Sequence, residues 1–287
     1  MRGNDAPLEP GLYLVATPIG NLEDMTLRGL RVLRSVDRVA CEDTRQTQKL
    51  LNHFEIKKPT VSYHMHNEAA RTEELVAELK AGGRIAVVSD AGTPGIADPG
   101  GYLAQAAIAA GIPVFPVPGA NAAVSALIAS GLPAERFTFH GFLPAKEGAR
   151  KTALEGLERS GTTHIFYEAP HRILGTLEDV AAVFGGALPV VVARELTKLH
   201  EEFLRGGAKE VHATLAGRAQ VRGEIVLLFA PTASEAAVTR SIAVEVAELR
   251  KAEGISEMDA LKRVAKGRGM GKSEAYRELQ REQNRLR

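Results

Sequence analysis

Four short stretches of this sequence bring acids, cations and imidazoles within a few residues of one another: Asp43-Thr44-Arg45, Tyr63-His64-x-His66-Asn67, Tyr167-Glu168-x-Pro170-His171-Arg172 and Arg194-Glu195-x-Thr197-Lys198. A carboxylate or imidazole can take a proton, and a lysine or arginine can settle negative charge growing on an oxygen. Together they suit proton transfer beside a developing oxyanion. Each residue alone also has an ordinary reading. Asp43, and Glu168 or His171, would serve as helix N-caps, and the cations as surface ion-pair partners. His64 and His66 share one face of a strand, but no third ligand follows at metal spacing and no H-E-x-x-H occurs, so no metal is expected.

Two loops have the make-up of ligand cradles. Ala16-Thr17-Pro18-Ile19-Gly20-Asn21 follows a first apolar run. Gly20 admits close approach of the backbone and Pro18 pre-sets the loop. Ser89 to Gly101 carries four Gly and two Pro in 13 residues directly after another apolar run. A plain turn needs far fewer, so this length of pre-shaped backbone fits a flat polar ligand, or else a structural Ω-loop. Neither loop is G-x-G-x-x-G or G-x-x-x-x-G-K-[ST], which excludes the dinucleotide and P-loop fingerprints.

The clusters and loops need strands to hold them. Apolar runs at Leu12 to Ala16, Val36 to Cys41, Ile85 to Val88 and Ile112 to Val117 each end in a Gly/Pro/Asp/Asn cluster and lead into a helix-like stretch. Such runs belong to a sheet buried on both faces, and their alternation with helices predicts α/β layers with a largely parallel sheet. Ala120 to Ser130 reads as a helix closed by Gly131. A second set of strands follows at Arg136 to His140, Thr163 to Tyr167, Leu188 to Ala193, Glu202 to Arg205 and Ile225 to Phe229. Tight spacing near Glu195 to Gly206 predicts a hairpin, hence a mixed sheet. Active-site groups in α/β proteins converge at strand ends, where the polar clusters lie. The expected division is 1–119, an N-terminal α/β domain; 120–232, a C-terminal α/β domain; and 233–287, a helical tail.

In the tail, Ile242, Val246 and Leu249 share one helical face and Gly254 ends that helix. Ser256 and Asp259 have capping-box spacing before a helix expected to turn Met258, Leu261 and Val264 inward. Gly267 to Gly271 is a turn, and Lys272 to Leu286 a last helix, so the tail reads as helix-turn-helix. Its Lys262, Arg263, Lys266, Arg268 and Lys272 are candidates for phosphate contact. Arg277, Arg281 and Arg285 each follow a glutamate by three residues, as on a self-neutralised solvated face.

The 287 residues suit about two domains, and 45% hydrophobic with 25% charged residues excludes wholesale disorder. A single cysteine excludes a disulfide framework and suits a reducing, cytoplasmic setting. No stretch is apolar enough to span a membrane, and Met1 to Pro10 is unlike a signal peptide. The net charge of +1 argues against a chain coated with positive charge to blanket nucleic acid, yet it is unevenly spread. Residues 255–287 hold nine Lys/Arg against five Asp/Glu, an excess of four, which leaves −3 on the rest. Indiscriminate phosphate binding is excluded; local docking by the tail is not. With no Trp and few aromatics, a base-stacking platform is not expected.

Eight motifs in order carry a resemblance: Leu12 to Leu22, Cys41-Glu42-Asp43-Thr44-Arg45, Tyr63-His64-x-x-Asn67-Glu68, Ser89 to Gly95, Pro118 to Ala122, Tyr167 to Arg172, Ala193 to Lys198 and Arg222-Gly223-Glu224. The chain resembles the tetrapyrrole-methylase superfamily, and within it the small-subunit ribosomal RNA (cytidine-2′-O)-methyltransferases, from about residue 11 through the tail. The resemblance implies two α/β domains with S-adenosylmethionine in the cleft between them, commonly a homodimer. Its cofactor pocket would use Pro18 to Asn21 with Gly20, Asp90-Ala91-Gly92-Thr93-Pro94, Ala120-Asn121-Ala122, Phe166-Tyr167 and Gly223-Glu224-Ile225. Methylation of a ribose hydroxyl needs a base and a cation. Glu168 or Asp43 is the expected base and Lys198 or Arg194 the cation, with Arg45, His64, Asn67 and His171 on the nucleotide. The rival expectations are a tetrapyrrole or diphthine-type methyltransferase of the same superfamily, and a non-catalytic ribosome assembly factor. The basic tail and the Glu-Asp-Thr-Arg segment weigh against the first rival.

Overall fold

The computed structural model describes residues 7–232, 242–267 and 271–285, apart from the side chains at 267, 272–274, 281 and 283–285. The chain forms two compact units. One comprises the chain up to Glu158 together with Thr162–Pro231, the other Arg159–Gly161 with the chain from Thr232 on.

The first unit holds two five-stranded sheets. Strands β1 (Gly11–Val15), β2 (Arg38–Cys41), β3 (Thr60–Ser62), β4 (Arg84–Val88) and β5 (Val114–Val117) make the first. Its order is β3-β2-β4-β1-β5, and every pairing is parallel. Between them run α1 (Leu27–Ser35), α2 (Thr44–His53), α3 (Glu68–Lys80) and α4 (Gly101–Ala109). The two-residue period of a strand sorts the apolar runs onto two faces. Tyr13, Val15, Val39 and Ala86 pack with Val32, Leu33 and Leu51 of α1 and α2. Leu12, Ala40, Ile85 and Val87 pack with Leu75, Leu79 and Leu103 of α3 and α4. Both faces are buried, which is why the runs read as continuously apolar.

The second sheet joins β6 (Phe137–Phe142), β7 (Thr163–Glu168), β8 (Pro189–Arg194), β9 (Glu202–Gly207) and β10 (Ile225–Phe229) in the order β6-β7-β10-β8-β9. It is mixed as expected: β6 and β7 run parallel, while the other pairings are antiparallel. Helices α6 (Glu147–Glu155), α7 (Ile173–Phe184) and α8 (Ala208–Ala216) cover one face over Phe166, Val192, Leu227 and Phe229. Helix α5 (Ala122–Ser130) covers the other with Ala126 and Leu127 against Ile165, Val191, Val226 and Leu228. Helix α5 begins two residues later than the sequence suggests, because the Asn121 side chain accepts from the Val124 N–H and caps it there.

In the second unit, α9 (Ile242–Glu253), α10 (Glu257–Gly267) and α11 (Lys272–Arg285) share a small core of Ile242, Val246, Ala260, Leu261, Ala265, Ala275 and Leu279. Ser256 caps α10 by accepting from the Asp259 N–H. One expectation is corrected: Met258 is exposed, and the inward stripe is Ala260, Leu261, Val264 and Ala265. Positions 261, 264 and 265 stand three and four apart on one face, whereas 258 falls at its edge. The turn at 268–270 lies outside the described residues.

Candidate active site

Strands β1 and β4 are neighbours whose following helices, α1 and α4, lie on opposite faces of the first sheet. A crevice opens at the carboxyl ends of such a pair. Here the two loops are zipped together: the Thr17 N–H donates to the Gly92 carbonyl (2.9 Å) and the Gly92 N–H to the Thr17 carbonyl (3.1 Å). Gly92 sits at φ +83°, and a Cβ there would press on Ile19 at 3.2 Å. The Thr93 hydroxyl donates to the Ala120 carbonyl (3.1 Å), tying the loop to the start of α5.

Two adjoining cavities result. One of about 420 Å³ is walled by Ile19, Ile96, Phe142, Tyr167, Leu196, Ile225 and Val226, by the 90–93 loop, and by Asn121 and Ala122. Asp90, Asp98, Glu168 and Glu224 are its ionisable acids, and no lysine, arginine or histidine is among the described residues that line it. The second, about 640 Å³, lies against α2 and is lined by Thr17, Pro18, Gly20, Gln46, Lys49, His53 and Lys198. Ile19, Asp90, Ala91 and Glu224 line both.

The expected cofactor residues mostly converge on the first cavity, with Pro18 and Gly20 on the second. Phe166 does not converge. It is buried in the core beneath α7, stacked on Phe229, because the strand period turns it away from the face shared by Ile165 and Tyr167. Burial raises the Tyr167 hydroxyl above the ordinary tyrosine value. Gly223 backs the cavity without lining it: a Cβ on Gly223 would run into the Glu195 side chain.

Of the expected catalytic groups, Glu168 has a fully buried side chain. Its Oε1 accepts from the Ala169 N–H (2.8 Å) and lies 3.2 Å from Arg172 Nε, while its Oε2 accepts from the Thr176 hydroxyl (2.7 Å). Both oxygens are used in fastening the start of α7. Asp43 caps α2, and the Arg45 guanidinium and backbone N–H hold its carboxyl down at about 2. A group that acidic is a weak base at neutral pH. Arg194 donates to Glu202 and to the Arg222 and His200 carbonyls, clasping the β8–β9 turn. All three have their polar atoms engaged by neighbouring residues.

Lys198 is differently placed. Its Nζ donates to Glu195 (2.9 Å) and Glu224 (3.0 Å) at the wall shared by the cavities. Burial pulls its ammonium down, but these carboxylates more than offset that, leaving it above the ordinary lysine value. It is therefore a cation at neutral pH. Its stem fills the space a Gly20 side chain would take. The loop that carries it holds Glu195 at φ +53° and Thr197 at φ +64°, left-handed conformations that cost of order 1–3 kcal/mol each in non-glycine residues.

Among the expected nucleotide contacts, Arg45 is exposed and paired with Asp43. Asn67 accepts from the His64 backbone N–H (2.8 Å) and donates to the Ser62 carbonyl (3.1 Å), shaping the end of β3. His64 Nδ1 is buried without a hydrogen-bond partner among the described residues. His171 is exposed and lines neither cavity. In the second unit, Lys262 pairs with Asp259 at 3.2 Å, Arg263 pairs with Glu253, and Lys266 is exposed. Arg268 and the Lys272 side chain lie outside the described residues.

Sequence reasoning missed Gln46, Lys49 and His53, although their i, i+3, i+7 spacing on α2 marks one helical face. Asp98, inside the Ser89 to Gly101 loop but not among the expected site residues, is half-buried at the first cavity. Burial, with help from Glu42 and Asp90, raises its carboxyl to about 6 against a hydrogen bond from Ser89.

Comparison with known proteins matches residues 11–212 to the family Tetrapyrrole (Corrin/Porphyrin) Methylases. The chain is 49% identical over 271 residues to a protein of Halalkalibacterium halodurans named Ribosomal RNA small subunit methyltransferase I, covering 92% of this chain and 93% of the relative. A Bacillus subtilis protein of the same name is 44% identical over 271 residues, with 92% of each covered. In fold, the chain is similar to a Thermus thermophilus uroporphyrin-III-C-methyltransferase (TM-score 0.54, 24% identity, 77% of this chain and 94% of that one). It is also similar to a diphthine synthase (TM-score 0.58, 15% identity, 77% and 89%). With two sheets of the expected kinds, and loops that close on one cavity at the β1–β4 crevice, the chain belongs to the tetrapyrrole methylase family.

Proposed function

We propose that this protein is an S-adenosylmethionine-dependent methyltransferase acting on the 2′-hydroxyl of a cytidine in small-subunit ribosomal RNA, on the assembled subunit. The observation that carries this reading is the pair of cavities sharing a wall at Asp90 and Glu224, one acidic and largely apolar, the other bearing Lys49, His53 and Lys198. A cavity of this size is in the range that holds cofactors, about 300–1,000 Å³. Its apolar walls suit an adenine ring. Its acidic lining, in which Glu168 and Glu224 are paired with Arg172 and Lys198 but Asp90 and Asp98 have no salt bridge among the described residues, suits a ligand whose sulfonium and ammonium are positive. The names of the relatives supply the substrate class.

When bound, S-adenosylmethionine supplies an already activated methyl group, so the chain's own contribution is chiefly positioning. The apolar wall excludes water. Lys198 steadies negative charge on the ribose oxygen as its bond to carbon forms. The hydroxyl proton passes to one of the shared carboxylates, Asp90 or Glu224. This assignment is preferred to Glu168, Asp43 and Arg194 because Asp90 and Glu224 line both cavities, which those three do not. Lys49 and His53 of α2 meet the RNA beside the reacting ribose, and Lys262, Arg263 and Lys266 contribute phosphate contacts.

Two copies are proposed to pair through edge strand β6 and helix α5, which leave Phe137, Phe142, Val124 and Ile128 exposed; sedimentation as a monomer would exclude this. Among the described residues, no helix is long and apolar enough to cross a membrane; the proposed site of action is the cytoplasm, where small subunits are met. The proposal keeps 1–119, 120–232 and 233–287 as three structural parts.

The deciding experiment offers labelled S-adenosylmethionine with small subunits from cells lacking the protein, free RNA, a porphyrinoid precursor and a translation factor. Label on one cytidine ribose of the subunit is expected. Label on the porphyrinoid or the factor would transfer the assignment to a rival enzyme class, and cofactor binding without transfer to any acceptor would indicate an assembly factor.

A further inference from the structure

The loop between β8 and β9 is built around one carboxylate. Glu195 Oε1 accepts from Lys198 Nζ (2.9 Å) and from the Glu224 backbone N–H (3.0 Å), while the Glu195 N–H donates to the Glu224 carbonyl (2.9 Å). The Lys198 N–H returns to the Glu195 carbonyl (3.0 Å), closing a tight turn. The Thr197 N–H donates to Glu201 (2.6 Å), fixing the far side. Gly223 and Gly20 give this arrangement its room: a Cβ on the first would overlap the Glu195 side chain, and one on the second the Lys198 stem. The Glu195 side chain is 20% exposed, against 76% for Glu224, the lysine's other partner.

We infer that Glu195 is the positioning residue of the transfer site, holding the Lys198 ammonium at the wall between the cavities through a carboxylate locked to the backbone of Glu224. Two non-glycine residues in left-handed conformations on one short loop are hard to explain by an ordinary surface ion pair, which does not require them. They are explained if the loop must deliver a lysine to a fixed point. Glu224 is the exchangeable partner: its exposed carboxylate can leave when ligands enter, whereas Glu195 stays. The inference rests on the proposed role of Lys198 as the cation of methyl transfer.

The test is a double-mutant cycle on the full chain with small subunits as acceptor. Glu195→Gln is expected to lower kcat about tenfold while KM for subunits and the affinity for S-adenosylmethionine stay within about twofold. Its alkaline pH limit should fall, since the amide no longer helps keep Lys198 protonated. The double variant Glu195→Gln/Lys198→Ala should be no slower than Lys198→Ala alone. Where Lys198→Ala is slowed, unchanged turnover in Glu195→Gln, or a double variant slowed by the product of the single effects, would overturn the inference. Should the glutamine variant misfold, Glu195→Asp, too short to hold both donors, carries the same expectation.

The two readings separate through the titration of Lys198 itself, followed by NMR after reductive ¹³C-methylation and assigned with Lys198→Ala. If Lys198→Ala turns over normally, the catalytic reading of Lys198 fails. A lowered Lys198 pKa in Glu195→Gln still supports positioning, and an unmoved one rejects it.

Discussion

Asp98 shows how a single carboxyl sets the behaviour of the first cavity. Its pKa of about 6, against an ordinary 3.8, means that between those values the folded protein keeps a proton the unfolded chain has lost. Stability from this group is therefore full below about pH 4, declines as pH rises toward 6 and is gone above it. Asp98→Asn should raise Tm more at pH 8 than at pH 5, measured by thermal unfolding. The same ionisation adds negative charge beside Asp90, Glu42 and Tyr167. Acidification from pH 7.5 to 5 should thus weaken S-adenosylmethionine binding by about 1 kcal/mol, roughly fivefold. S-adenosylhomocysteine, with a neutral sulfur, should respond less, and Asp98→Asn should flatten the difference. Calorimetry showing equal pH dependence for the two ligands would contradict this. Aspartate type and loop position placed Asp98 within a candidate cradle, but its pKa comes from burial and from Glu42, more than fifty residues away in sequence.

At the scale of elements, helix starts and tight loops do the positioning. Asn121 caps α5 through the Val124 N–H and donates to the Thr93 hydroxyl at 3.4 Å, so one side chain ends the helix and steadies the cavity loop. Asn121→Ala should cost about 1 kcal/mol of stability, read as a lower denaturant midpoint with unchanged slope. Asn121→Asp, which keeps the capping oxygen, should lose less. Equal losses would show that the cap is not the source. These elements were readable because strand runs, Gly-rich loops and capping residues act over a few positions. The readings that erred did so at the edges of elements: Asn121 caps α5 and moves its start to Ala122, and Met258 falls at the rim of the buried face of α10.

For the whole molecule, charge is divided between an acidic body and a basic tail. Salt sensitivity of subunit binding should follow the tail. Replacing Lys262, Arg263 and Lys266 with alanine should reduce the slope of log affinity against log salt by roughly 0.7–0.9 per lost phosphate contact. The methyl-transfer rate on bound subunits should be little affected. Filter binding at several ionic strengths checks this, and an unchanged slope would place docking on the first unit, where Lys49 and His53 line the second cavity.

The sequence alone determined the two sheets, their parallel and mixed characters, and most of the loop residues that meet at the first cavity. The sheets and the two Gly/Pro loops follow from apolar periodicity and turn residues, which are local in the chain; the remaining pocket residues follow from the motifs that carry the family resemblance. Tertiary structure decided which partners each polar group meets. Glu168, Asp43, Arg194 and Lys198 look equivalent as residues at strand ends, yet the first three fasten helix starts and the β8–β9 turn, while Lys198 is held by Glu195 and Glu224 beside the wall that the cavities share. That distinction rests on hydrogen-bond partners such as Thr176, Glu202 and Glu224, brought close only by folding. A charged side chain's chemistry is set by what surrounds it, and the sequence lists no surroundings.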